Sequence, residues 1–321
     1  AIENKSLNLD WMKKDDDPNL NRILDQIMAG KTILDSPPYM LEVANSKRCN
    51  LNCIMCKPVI PQDDDVISEK LFTQIIPEYL PGLSRIFLTT HGETFFNPYT
   101  RKFLQSLDAK RFPSLQIQLL TNGTMFTPEL WESISHNHYE SIYVSIDAAS
   151  KDTYERIRHN GNWDILRRNL DLISELRGRN IFKDFRISFI VMRSNYKEMK
   201  DFVELGITLG CDQIIFQKIS GLAEPEENIT FNKDKKVLAE IAALLADPVF
   251  SRPGVNTTLI DDYRRYAGKA GFLQDNILIR LKRRLVYSLI RTYWRLPFST
   301  LIFGLPRKKE LRWKIRLGAH G

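Results

Sequence analysis

The sequence predicts an α/β fold built on a parallel sheet. From Tyr39 onward, short strand-like runs alternate with helical patterns, the order expected of βαβ units. The helical stretches carry recognisable caps and stops. The chain has 321 residues, 43% of them hydrophobic and 26% charged, an ordinary globular composition with enough apolar material for a large core.

Residues 1–38 read as a polar N-terminal extension closed by Pro37-Pro38. Within it, Asp15 to Asp17 and Pro18 lead into a short helix over Leu20–Met28 that Gly30 ends. The predicted strands are Met40–Asn45, Arg85–Thr90, Gln116–Thr121, Ser141–Asp147, Arg186–Met192 and Ile214–Ile219. Between them, Ser68 caps a helix running to about Tyr79, and Thr127-Pro128 is a cap followed by proline at the first helical position. Ser150 caps Lys151–Ile157. Ile165, Leu166, Asn169, Leu170, Ile173 and Leu176 keep a helical stripe, which Gly178 suits as the residue after the last turn. Asn195 with Glu198 three residues on has the pattern of a capping box. Six strand–helix units are too few for a closed eight-fold barrel; they suit a partial barrel or a doubly wound sheet, and pattern alone leaves both open. In either, sites form beyond the C-terminal ends of the strands. The expected core spans residues 39–250, followed by a mainly helical region over 251–321.

Three of the four cysteines fall within eight residues, Cys49, Cys53 and Cys56, directly after the first strand. Cys211 stands apart and reads as a buried thiol. Three thiolates on one loop can hold three corners of a [4Fe-4S] cluster and leave one iron open to another ligand. A structural zinc site would need a fourth ligand, and neither a second cysteine pair nor a suitably spaced histidine pair exists. Sparse, crowded cysteines do not make a disulfide framework. No apolar run reaches transmembrane length and the opening residues lack the pattern of a signal peptide, so a reducing cytoplasm is the expected compartment.

The spacing Cys-x3-Cys-x2-Cys and the flanking Cys-Asn-Leu-x-Cys resemble the radical S-adenosylmethionine (SAM) superfamily, over about residues 39–220. The resemblance implies a partial (β/α)6 barrel, one [4Fe-4S] cluster on Cys49, Cys53 and Cys56, and SAM on the open iron. Thr90-His91-Gly92-Glu93 stands where that family usually has Gly-Gly-Glu, a turn that meets the amino group of the cofactor; Glu93 can accept from an ammonium, and His91 replaces the first glycine. In the fourth strand Ile142, Val144 and Ile146 face one way, and Tyr143, Ser145 and Asp147 the other. Val144-Ser145-Ile146-Asp147-Ala148, then Arg158, then Asn195 resemble the SPASM/twitch branch, which implies cofactor contacts by Ser145, Asp147 and Arg158 and a ribose contact by Asn195. Met55 fills a position that in the family packs by the adenine. Asn122, in Thr121-Asn122-Gly123, reads as a turn residue. The chain departs from that branch in having no cysteine after Cys211, so no auxiliary cluster is expected.

The implied activity is that of an enzyme. An electron from a donor such as flavodoxin or ferredoxin reduces the cluster, and cleavage of SAM gives a 5′-deoxyadenosyl radical that takes hydrogen from a substrate. Glu42, Gln118, Ser188, Gln217 and Lys218 are candidate lumen residues, a set that points to a polar substrate: a sugar, a sugar nucleotide or a peptide side chain. Two other classes fit the cysteine loop less fully, a non-catalytic Fe–S scaffold or electron-transfer protein and a binding module on a decayed enzyme.

The charge is uneven. Residues 277–321 hold twelve Lys or Arg against one acid, Glu310, and so carry +11, which leaves −4 for the rest of a chain whose net charge is +7. Ile277 to Leu296 reads as an amphipathic helix stopped by Pro297. Its apolar stripe suits packing on the barrel, or an anionic membrane surface that would hold the protein at the periphery of the inner face. An acidic partner or nucleic acid fits it less well.

Overall fold

The computed structural model describes residues 13, 17–44, 46, 48–56, 69–88, 92–219, 226–229, 234–260 and 263. The expectations for Asn45, Ser68, Thr90, His91 and the basic stretch 277–321 fall outside them. Among the described residues the main sheet has seven strands, all parallel and laid side by side in chain order. They are β1 (Met40–Val43), β2 (Arg85–Leu88), β3 (Gln116–Thr121), β4 (Tyr139–Ser145), β5 (Asp184–Val191), β6 (Gln213–Lys218) and β7 (Val255–Asn256). This order without reversal distinguishes the sheet from a doubly wound one, whose strand order turns back at a switch point.

The sixfold count from sequence is short by one strand. β7 pairs Val255 with Ile214 and Asn256 with Ile215, and two residues are too few to show a period. The packed core likewise runs past residue 250: Ile260 and Tyr263 are fully buried in it, and Phe250 sits 5.6 Å from Phe216 of β6, centroid to centroid.

One face of the sheet is mainly apolar. Ile86, Leu88, Ile117, Leu119, Ile142, Val144, Phe185, Ile187, Phe189 and Phe216 join a single core with residues of the flanking helices. Those helices include α2 (Ile76–Tyr79, preceded by a π-helical stretch Leu71–Ile75), α3 (Pro98–Ser106) and α4 (Pro128–Ile134), whereas α1 (Pro18–Met28) buries Leu20, Ile23 and Leu24 outside that core. They continue with α5 (Lys151–Ile157), α6 (Trp163–Gly178), α7 (Met199–Thr208) and α8 (Lys235–Leu244). The other face carries Glu42, Gln118, Tyr143, Ser145, Ser188 and Gln217, by strand register. Lys218 departs from its expected place: it pairs with Val191 and so alternates onto the face of Phe216. Below the lumen, Arg85 binds Glu140 at 2.8 and 2.9 Å, and Gln118 donates to Glu140 at 2.6 Å.

The caps follow local chemistry, with two exceptions. Thr127 and Ser150 accept from Leu130 and Thr153 as their patterns predict. Gly178, however, lies inside α6, and the left-handed position after it is taken by Asn180 (φ 57°), a residue whose short amide tolerates that region. The capping box at Asn195 does not form either. Glu198 instead crosses to the loop after β4, accepting from the Ala149 and Ser150 amides and the Ser150 hydroxyl at 2.7, 3.2 and 2.6 Å. Tertiary partners with stronger geometry outcompete the local ones that the pattern offers.

Candidate cluster and cofactor site

The cysteine loop leaves the C-terminal end of β1. It is fixed on one side by a two-stranded ribbon in which Asn52–Cys53 pairs antiparallel with Arg158–His159, extended by the Ile54 amide on the Ile157 carbonyl at 2.9 Å. On the other side it meets the turn after β2. The Glu93 amide donates to the Arg48 carbonyl at 2.8 Å, and a Cβ on Gly92 would fall 2.0 Å from that oxygen. Only glycine allows the turn to press so closely on the residue before Cys49.

Burial raises the pKa of all three thiols, Cys53 to about 11 despite the nearby Arg158 guanidinium, so in the free protein they stay protonated at neutral pH. Among the described residues no three His, Cys, Asp or Glu side chains converge on a point that could hold one metal ion. Three thiols on one loop suit a group with separate corners, each taking one thiolate.

Glu93 is 1% exposed and fully engaged within the protein. Its Oε1 accepts from the Phe95 amide and the Thr121 hydroxyl at 3.2 and 2.6 Å, and its Oε2 accepts from the Asn122 amide at 2.6 Å. Burial raises its pKa and these donors oppose the rise. Its side chain joins the turn after β2 to the end of β3.

Asp147 follows β4 with φ 64°, and its side chain is 1% exposed. Its Oδ2 takes Arg158 at 2.5 Å and its Oδ1 takes the Ile190 amide at 2.7 Å. Burial works against the Arg158 charge, yet the Asp147 carboxylate holds its pKa above the ordinary value. A second guanidinium nitrogen reaches Cys53 Sγ at 3.9 Å, while the buried Nε has no hydrogen-bond partner. Asn195, 1% exposed, donates to the Asp147 and Ile190 carbonyls at 2.9 Å each and accepts from the Met192 amide at 2.7 Å. Ser145 lies beside Ser188 in register on the lumen face, half-buried. Met55 packs in a small apolar cluster with Ile157, Met192 and Ile219, apart from the main core. Hydrogen bonds thus link Cys49 through Asn122 to Glu93, and Cys53 through Arg158 to Asp147 and Asn195; Gly92 presses on Arg48 beside the first set, Met55 lies in an apolar cluster, and Cys56 is exposed.

The sequence reading missed two side chains, Asn50 and Thr124, and read a third, Asn122, as a turn. Asn122 donates to Cys49 Sγ at 3.7 Å and to Asn50 Oδ1 at 2.9 Å, and Asn50 donates to the Thr124 hydroxyl at 2.8 Å. Gly123 (φ 78°) makes the turn possible: a Cβ there would meet Leu166 and Val144 at 2.8 and 2.9 Å. The only signal was a cluster of short amides and hydroxyls at two strand ends, which reads equally well as turn chemistry.

The donor set fits the expected cofactors. Three thiols stand on one loop, a glycine cradle excludes side chains beside it, and a buried guanidinium keeps an unused N–H. The Radical SAM superfamily model matches residues 46–206. The mycofactocin maturase MftC of Mycolicibacterium smegmatis is 26% identical over 192 residues, covering 59% of this chain and 46% of that protein. The GTP 3′,8-cyclase of a Synechocystis species is 28% identical over 182 residues, covering 54% of this chain and 53% of that protein. The AdoMet-dependent heme synthase of Methanosarcina barkeri is also 28% identical over 182 residues, covering 55% and 49%. The chain spans about half the length of these curated relatives. Among solved structures, Streptococcus suis SuiB bound to S-adenosylmethionine aligns with a TM-score of 0.47 at 15% identity, over 73% of this chain and 49% of that one. The chain belongs to the radical SAM superfamily, whose members use a [4Fe-4S] cluster and S-adenosylmethionine.

Proposed function

We propose that the protein is a radical SAM enzyme that takes hydrogen from a polar substrate, with a single cluster on Cys49, Cys53 and Cys56. The observation that carries this reading is the cysteine loop held between the Cys53–Arg158 ribbon and the Gly92 cradle. When bound, the cluster and SAM supply one-electron reductive cleavage of the cofactor, which releases 5′-deoxyadenosine after hydrogen transfer. The protein's part is positioning and exclusion of water. Gly92 and Glu93 form the turn that would hold the cofactor's amino group through its backbone, with the Glu93 carboxylate tying that turn to β3. Ser145 and Arg158 would hold the cofactor's carboxylate. Asp147 fixes Arg158, Asn195 ties the loops after β4 and β5 together where it would meet the ribose, and Met55 with Ile157, Met192 and Ile219 would offer the adenine an apolar wall.

The arrangement of Ser145, Asp147, Arg158 and Asn195 supports a place near the SPASM/twitch branch, without its auxiliary clusters. The named relatives differ widely in what they make, so they do not select a substrate. Polar groups on the lumen face support a polar substrate. Gln217 donates to the Tyr143 hydroxyl at 3.0 Å, Ser188 hydrogen-bonds Tyr143, and Glu42 is exposed on the same face. Such a wall suits a substrate with hydroxyl or amide groups, a sugar or a peptide side chain. The electron donor is of the flavodoxin or ferredoxin type.

Purified without oxygen and reconstituted, the chain should hold about four irons. Cys53→Ala should lose most of them. With dithionite and SAM the loaded protein should release 5′-deoxyadenosine. A loaded, reducible cluster that releases none would favour an Fe–S scaffold instead.

A further inference from the structure

We propose that Asn122 is a positioning residue for the cluster's electron: its amide N–H on Cys49 Sγ raises the reduction potential of the cluster. The inference rests on the reading that Cys49 is a cluster ligand.

The orientation of the Asn122 amide is determined by its neighbours. The Thr124 backbone amide can only donate, and it lies 3.0 Å from one side-chain atom of Asn122, which must therefore be Oδ1. The Thr124 hydroxyl donates to the same oxygen at 2.7 Å and receives the Asn50 amide at 2.8 Å. Asn50 Oδ1 then receives one N–H of Asn122 at 2.9 Å, which closes a ring of three side chains with one polarity. A primary amide has two N–H groups. With the first spent on Asn50, the second points at Cys49 Sγ, 3.7 Å away. The Leu51 backbone amide reaches the same sulfur at 3.3 Å. The Asn122 side chain is thus locked, 6% exposed, and none of its polar atoms is idle.

The sulfurs are not treated alike. Cys49 receives two N–H groups, Cys53 faces the Arg158 guanidinium at 3.9 Å, and Cys56 is exposed. When one electron enters a cluster, negative charge grows on its sulfurs. A donor aimed at a sulfur stabilises the reduced form more than the oxidised one and raises the potential. The backbone N–H of Leu51 would survive every substitution but proline, so Asn122 is the side-chain contact on Cys49 that the sequence can tune.

The test is a redox titration of the cluster-loaded full chain, with dithionite as the electron source and the cluster's EPR signal as the readout. Asn122→Leu keeps the branched shape and removes the donor. The expected result is full iron content and a midpoint potential lower than wild type. An unchanged potential at full iron content would overturn the proposal and return Asn122 to a turn residue. Should Asn122→Leu fail to load iron, Thr124→Val serves in its place: it keeps the amide and removes the hydroxyl that orients it. A lowered potential there supports the proposal and an unchanged one overturns it. Wild-type protein that loads no cluster would instead sink the reading on which the proposal rests.

Discussion

Asp147 and Arg158 are the charged pair on which the site's geometry depends most. Their side chains are 1% and 7% exposed, and each also holds a second group, Ile190 or Cys53. A buried charge that loses its partner keeps its desolvation cost. Asp147→Asn is a clean probe, because asparagine accepts the left-handed backbone at this position as readily as aspartate does. The expected cost is about 3 kcal/mol, read from denaturant unfolding of the cluster-free protein; a variant within about 0.5 kcal/mol of wild type would show that Arg158 finds a substitute partner. At this scale the sequence was informative where chemistry leaves a spacing, as at Cys49, Cys53 and Cys56. It was uninformative at Asn50, Asn122 and Thr124. Their partners lie 72 to 74 residues apart, and a short amide before glycine looks the same whether it serves a turn or a metal ligand.

Strands and helices were easier to read than the bonds that join them. β3 matches its predicted span residue for residue, because Ile117, Leu119 and Thr121 alternate with Gln116, Gln118 and Leu120 in burial. The Asn195–Glu198 pattern failed because an i,i+3 pair says nothing about a competing helix start elsewhere, here Ala149 and Ser150. A comparable cross-link holds α6 to the sheet. Arg177 of α6 binds Asp212 through two nitrogens, at 2.7 and 2.9 Å, and Asp212 also accepts from the Phe185 amide of β5 at 2.8 Å. Burial would raise the Asp212 pKa, but Arg177 and the amides bring it below the ordinary value. A depressed carboxylate stabilises the fold above its unfolded pKa and loses that contribution as pH falls through its folded one. Asp212→Asn should therefore cost about 1 kcal/mol at pH 7, with the gap to wild type closing below about pH 4. Paired melts at the two pH values check this; a gap independent of pH would point to packing instead of charge.

For the whole molecule, the informative region is the far edge of the sheet. β7, Ile260 and Tyr263 complete a core that the sequence reading ended at residue 250. A chain stopped there would expose the β6 edge and leave the space around Tyr263 empty, and removal of a buried aromatic alone costs about 3–5 kcal/mol. It should be insoluble or melt well below the full chain, whereas one ending at Asp275 should fold; equal melting of all three would show that β7 adds nothing. Among the described residues no helix is long and apolar enough to cross a membrane. The ribbon that seats the cysteine loop has a further consequence, for timing. Cys53 pairs with Arg158, and Ile54 with Ile157, so the last stretch of backbone that shapes the loop is made more than a hundred residues after the cysteines themselves. On a ribosome the thiols emerge early and wait, unshaped and open to oxygen and stray metal, until α5 has been translated and folded back. Iron delivery to this protein is then a late event of synthesis, and chains released before His159 should take up iron poorly however many cysteines they carry.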